Sequence, residues 1–395
     1  MCINKLTILN AFVLIFLFIS FFQFNITQIL HYVWLINASL IFIACKDIRG
    51  LPWGLVSAYA LLVFSILIHS FFIADYVDIK YAVNQVGFML SSSSIILLYS
   101  YLPDEQKESN FIWFKSAVNI LMFIIIGVLV FLGLKEFILA YDYNGLYHRL
   151  LGTLYIHKIG LGLIFAWYIS FMLAGKKNLA PIILLLLVLV VGFGIRSLML
   201  ALVLFLLFHF IQKSFYGRKF IYFMLIVFFI YITFFSVNIG DLAHFDIRGL
   251  SLQLALDIAR DFPLGIGLGG FDEFVILEPG SFTKSNYLQF ISPNTLFYKS
   301  EYLLTELPSE ILILTVTFGT LITCLYYLMI MRMIFFVYAI RFLLLNHERV
   351  ILNVFIIYTF MGVTRHPIFT LSWWIVINMF VFIYIKYRNK TKILQ

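Results

Sequence analysis

Five arginines, Arg149, Arg196, Arg248, Arg260 and Arg365, lie in or beside the polar breaks that separate long apolar stretches of this chain. A guanidinium is planar, stays charged at physiological pH and meets phosphate oxygens with two parallel N–H donors. Several of them gathered at the level of lipid headgroups would suit a diphosphate carried on a lipid whose tail runs between helices. Such a clamp could stabilise a departing diphosphate without a metal ion. For any single arginine the simpler reading is a side chain snorkelling to the membrane interface. Five of them ask for more, because the polar breaks on their side of the chain, taken together, are otherwise acidic.

Whether these arginines share a face depends on the elements around them. The chain is 63% hydrophobic and 12% charged, with a mean hydropathy of +1.03, which excludes an ordinary water-soluble domain. Apolar runs recur at 6–23, 28–45, 52–72, 82–101, 112–134, 156–174, 179–193, 195–211, 219–237, 309–331, 350–364 and 368–385. The expected fold is an all-α integral membrane protein of about twelve transmembrane helices. Its first helix is expected to be retained, not cleaved as a signal peptide. The breaks at Lys46–Arg49, Lys107–Lys115, Lys176–Lys177, Lys213–Lys219, Arg332–Arg349 and Lys386–Lys392 fall on one side with both termini. That side holds seventeen of the 27 Lys and Arg but five of the 19 Asp and Glu. It is cytoplasmic by the positive-inside rule, so the net charge of +8 belongs to cytoplasmic loops and signals no nucleic-acid partner. Cys2, Cys45 and Cys324 are scattered, and the histidines and carboxylates show no metal-ligand spacing. No cofactor or metal is expected.

The five arginines then face outward. The chain divides into membrane helices over 1–237, one large outward loop over 238–308, and three further helices with a cytoplasmic tail over 309–395. Within the loop, 248–262 (RGLSLQLALDIARDF) reads as an amphipathic helix. Gln253, Asp257 and Arg260 form its polar stripe, and its apolar face would lie on the membrane or the bundle. The run that follows, Pro263–Phe271 (PLGIGLGGF), has no strand before it and no P-loop lysine after it, so it is not a nucleotide-binding turn. Two readings stand: a tight turn without a ligand, or backbone brought close to a sugar or phosphate. His69 and His209, near helix ends, read as caps or snorkelling groups. His148, His157 and His366 read first as polar interface residues, although His366, beside Arg365 in a turn closed by Pro367, could contact substrate. Tyr141, Tyr143 and Tyr147 could stack on sugar rings or anchor in the aromatic belt.

Three of these segments carry a resemblance. Residues 149–160 (RLLGTLYIHKIG), with Arg149 and Gly160 in an Arg-x10-Gly spacing, are similar to an outward segment of the bacterial O-antigen polymerase and O-antigen ligase family. Arg196-Ser197 before an Ala/Leu-rich span is similar to the family's Ser-Arg segment. The string from Arg248 through ALDIARDFPLGIGLGGF resembles its large periplasmic loop, Arg260 to Gly270 falling one residue short of the same spacing. Ligases of this family carry a His-Asn pair, then apolar residues and a Gly, where the long loop re-enters the membrane. Counting back from Gly319, Pro308-Ser309 stand in that place with Glu310 next. The ligase histidine is absent, and this departure favours the polymerase branch.

The resemblance implies a multi-pass protein of the bacterial inner membrane that joins oligosaccharide repeat units at the periplasmic face. The units would be carried on undecaprenyl diphosphate, and a chain-length regulator protein would be a further partner. The growing glycan leaves its diphosphate for a hydroxyl of the next lipid-linked unit. A sugar hydroxyl is a weak nucleophile, so positioning, charge clamping and a general base would all help. Glu310, at the start of the tenth span, is the candidate base; the simpler reading is a helix-start carboxylate favoured by the dipole, with Ser309 as N-cap. Asp272, Glu273, Glu301 and Glu306 are the other carboxylates within reach of that role. Arg149, Arg196, Arg248, Arg260, Arg365 and His366 are the candidate substrate contacts. The alternatives are an O-antigen ligase acting on lipid A–core, and a lipid-linked oligosaccharide flippase, which should line a cavity with charge inside the membrane.

Overall fold

A computed structural model describes residues 5–21, 57, 61, 64–65, 68–69, 95, 102–139, 158–175, 196–211, 215–234, 255–267, 310–362 and 371–393. The spans expected at 28–45 and 179–193, and most of those at 52–72 and 82–101, lie outside the described residues. Among the described residues all regular structure is helical: α1 (Lys5–Ile19), α2 (Asp104–Leu139), α3 (Lys158–Ala174), α4 (Arg196–Ile211), α5 (Phe215–Phe234), α6 (Glu310–Phe318), α7 (Thr320–Ala339), α8 (Asn346–Met361) and α9 (Leu371–Ile393). A short helical stretch of about two turns covers 255–261, and a 3-10 turn, Arg341–Leu343, leads from α7 toward α8.

Among the described residues two segments are long and apolar enough to cross a membrane, Asp104–Gly127 within α2 and Thr320–Ala339, and only 33% and 44% of their apolar windows are buried. Their outward sides carry Ile112, Ile120 and Phe123 on α2 and Leu321, Leu325 and Met329 on α7. A helix in a water-soluble bundle turns such residues inward. The start of α2 follows from its sequence. Pro103, whose missing N–H is harmless there, precedes Asp104 and Glu105, which lie in the first turn near the positive end of the dipole.

Helix α8 is the centre of the described bundle, packing on α3, α4 and α9 and touching α2 and α7. Val350, Ile351, Val354, Phe355, Ile357 and Tyr358 are buried all round it. Phe355 lies parallel to Phe380 at 4.0 Å between ring centroids and stacks on Trp373 at 5.5 Å. On α3, Trp167 meets Phe114 of α2 edge-on at 5.0 Å. Where these surfaces are apolar throughout, close van der Waals packing supplies the specificity.

The first turn of α8 is tied by charge. Glu348 reaches back to the Leu345 amide at 2.9 Å, the second half of a capping box. It also accepts from the Lys386 ammonium at 2.8 Å and the Tyr387 hydroxyl at 2.8 Å, both on α9. Lys386 bridges to Asp104 at 3.0 Å, and Lys107 meets the same carboxylate at 3.1 Å, so α2, α8 and α9 are joined at one end. Burial works against the Lys386 ammonium, but Glu348 and Asp104 more than offset it and hold its pKa above the ordinary lysine value. Its contribution is therefore complete at neutral pH and is lost only as the pH rises through that raised value.

Helix ends expected from the apolar runs agree with the structure to within several residues at α3, α4, α5 and α8. The span expected at 309–331 does not run as one helix. It breaks at Gly319, and its second part continues to Ala339. Phe355→Ala should lower the stability of the detergent-purified protein by about 3 kcal/mol through the cavity it leaves. Phe123→Ala, on the outward side of α2, should leave the thermal midpoint within error.

Candidate functional site

The break at Gly319 builds the site. Gly319 has φ +83° and separates α6 from α7. Along a straight helix Glu310 and Tyr327 would be ~25 Å apart. Instead the Tyr327 hydroxyl donates to Glu310 Oε1 at 3.2 Å, so the chain doubles back at Gly319 and forms a helical hairpin.

A broken helix leaves backbone carbonyls without their own amides. Here the glycine-rich turn supplies them. The Ile266 amide donates to Val316 O at 2.8 Å and the Gly267 amide to Thr317 O at 3.1 Å, while Gly319 N returns to Thr315 O at 2.9 Å. Contact this close excludes side chains: a Cβ on Gly265 would sit 2.3 Å from Thr317 O, and one on Gly319 would sit 2.1 Å from Pro263 O. Gly265 and Gly267 also have φ of 81° and 96°, open to glycine at little cost. His69 completes the joint. Its Nε2 lies 2.6 Å from Leu264 O, so that nitrogen carries the proton, and its ring packs on Phe318 at 5.5 Å. His69 is buried, not snorkelling, and the amides of Ile266 and Gly267 are engaged by protein, not by a phosphate.

Glu310 opens α6 at 1% exposure. Its amide donates to Gly362 O at 2.9 Å, so the start of α6 meets the end of α8. Gly362 leaves room for the carboxylate, since a Cβ there would come within 3.0 Å of Glu310 Oε2 and 3.1 Å of Thr359 O. Tyr327 is itself buried and packs edge-on against Tyr326 at 5.2 Å. Thr315 and Thr323 bond back to Ile311 O at 2.7 Å and Gly319 O at 2.9 Å, which satisfies their hydroxyls inside the hairpin. A carboxylate seated in this way can take a proton from a hydroxyl brought against it, or hold one in transit.

The other residues expected at a site are distributed differently. Arg260 lies in the helical stretch 255–261, half exposed, its Nε donating to Asp261 at 2.9 Å and its Nη2 at 3.6 Å from Asp257. The Asp261 hydrogen bond and charge, with Asp257, hold the guanidinium pKa above its usual value. Arg196 is the first residue of α4. Arg149, Arg248, Arg365 and His366 lie outside the described residues, as do Asp272, Glu273, Glu301, Glu306 and Ser309. Gly160, the end of the Arg-x10-Gly spacing, has a packing role: a Cβ there would fall 2.2 Å from the Phe21 carbonyl. His209 is paired with the Tyr338 hydroxyl across α4 and α7. Sequence reasoning missed Tyr327 and Gly362 and gave His69 another role; the partners lie 195 residues away for His69 and 17 for Tyr327.

Far from Glu310, Asp104, His347 and Glu348 bring ligand atoms within 4.8 Å of one another. The Lys386 ammonium already sits on Asp104 and Glu348, and His347 Nδ1 faces Glu108, so these ligand atoms are engaged by the protein's own groups.

Gly319→Ala should strain the break and displace Pro263, exposing 262–267 to limited proteolysis and lowering the thermal midpoint. Gly127→Ala, with nothing within 4 Å of its Cβ, should do neither. In comparisons with protein-family models, curated proteins and solved structures, the chain matches none.

Proposed function

We propose that the chain is a polysaccharide polymerase of the bacterial inner membrane, with about twelve spans and a large periplasmic loop over 238–308. It would transfer a growing glycan from undecaprenyl diphosphate to a hydroxyl of the next lipid-linked repeat unit. The observation that carries this reading is the meeting of two segments far apart in sequence: the glycine-rich turn after Arg260 and the hairpin that opens with Glu310. Both were singled out by their resemblance to the O-antigen polymerase and ligase family. Glu310 stands beside the place where ligases of that family carry histidine, and its carboxylate is buried and held by Tyr327.

In this reading Glu310 takes the proton of the acceptor hydroxyl as the new glycosidic bond forms. The bond from the anomeric carbon to the diphosphate breaks, and the leaving charge is met by arginines among Arg149, Arg196, Arg248, Arg260 and Arg365. His366 contributes a further substrate contact. Arg260 would exchange Asp257 and Asp261 for phosphate oxygens on binding. No metal enters the step, and a chain-length regulator is the expected protein partner.

One observation favours a second reading. A carboxylate buried where a helix is broken is a common feature of transporters, so a lipid-linked oligosaccharide flippase is the alternative. Complementation of a polymerase-null strain separates the two. The wild-type gene should restore a ladder of surface polysaccharide, and Glu310→Gln, Arg196→Ala and Arg260→Ala at matched membrane levels should reduce it toward a single repeat. Purified protein in detergent should also lengthen lipid-linked glycan, where no translocation is involved. Failure of the wild type in both assays would rule the polymerase out.

A further inference from the structure

We propose that Tyr327 is a positioning residue for the Glu310 carboxylate, aiming it for proton transfer; this rests on the reading of Glu310 as general base. The geometry is selective between the two carboxylate oxygens. Oε1 receives the Tyr327 hydroxyl at 3.2 Å, while Oε2 lies over Gly362, where the missing side chain leaves it space. A glutamate has three side-chain torsions, and one hydrogen bond from a rigid phenol fixes the plane of its carboxyl group. The phenol is rigid because it is fully buried and packed edge-on against Tyr326. The backbone closes the same seat from a third direction, the Glu310 amide being held by Gly362 O at 2.9 Å.

The doubling back at Gly319 is what allows the arrangement. Tyr327 sits two turns into α7, and only a reversed α6 brings its hydroxyl to the first residue of that helix. A catalytic carboxylate that must reach an acceptor hydroxyl within hydrogen-bonding distance loses rate when its orientation is free, even where substrate still binds.

The test uses purified full-length protein in detergent with the lipid-linked repeat units that accumulate in a polymerase-null strain. Tyr327→Phe removes only the hydroxyl. It should lower kcat roughly tenfold with KM for the lipid-linked unit unchanged, and leave the thermal midpoint near the wild-type value. In a Glu310→Asp background, whose shorter carboxylate is out of reach of the hydroxyl, the same change should add no further loss. An unchanged kcat in Tyr327→Phe, or an equal loss in both backgrounds, overturns the positioning role while leaving Glu310 as base. Full activity of Glu310→Gln overturns the base and this inference together.

Discussion

The backbone carbonyls freed at the end of α6 constrain everything around them. In an apolar interior a carbonyl without a donor is costly, and the chain can break a helix there only if another segment brings amides to it. The turn 263–267 does so through Ile266 and Gly267, at distances that admit no Cβ on Gly265 or Gly319. Three stretches widely separated in sequence, around His69, Leu264 and Gly319, are thereby held at one point. The acidic hairpin that follows from this point is a consequence of that closure.

Two polar assemblies stand at opposite ends of α8. Its first turn carries the ion-paired group of Asp104, Lys107, Glu348, Lys386 and Tyr387, in which each carboxylate meets cations or a hydroxyl. Its last turn, ~21 Å away by helical rise, lies against Glu310, whose carboxylate receives the Tyr327 phenol. The contrast is chemical. The first assembly is fixed by ion pairs, the second by a phenol hydroxyl and by the backbone contact at Gly362. Between the two assemblies, Phe355 of α8 stacks on Trp373 and Phe380 of α9.

The glycines divide in the same way between packing and chemistry. Gly160 lets α3 approach the Phe21 carbonyl, and Gly265 and Gly319 let two backbones touch. These roles account for Gly160, Gly265 and Gly319 without any ligand. Among the described glycines, Gly362 is spaced against an acidic side chain, the carboxylate of Glu310.

The sequence by itself determined that the chain is helical and apolar, and where α3, α4, α5 and α8 lie to within several residues, because apolar length and charged breaks are local properties read along one segment. It also marked Glu310, Gly319 and the glycine-rich run as positions needing a reason. Tertiary structure alone decided that α6 reverses, that His69 is a buried clamp, and that Tyr327 and Gly362 seat the carboxylate. A helical break of one residue leaves almost no trace in hydropathy, since the residues on both sides are equally apolar. Contacts across 195 residues obey no periodicity at all. Their geometry is set by which backbone groups need partners, and that becomes visible only once the chain has folded back on itself.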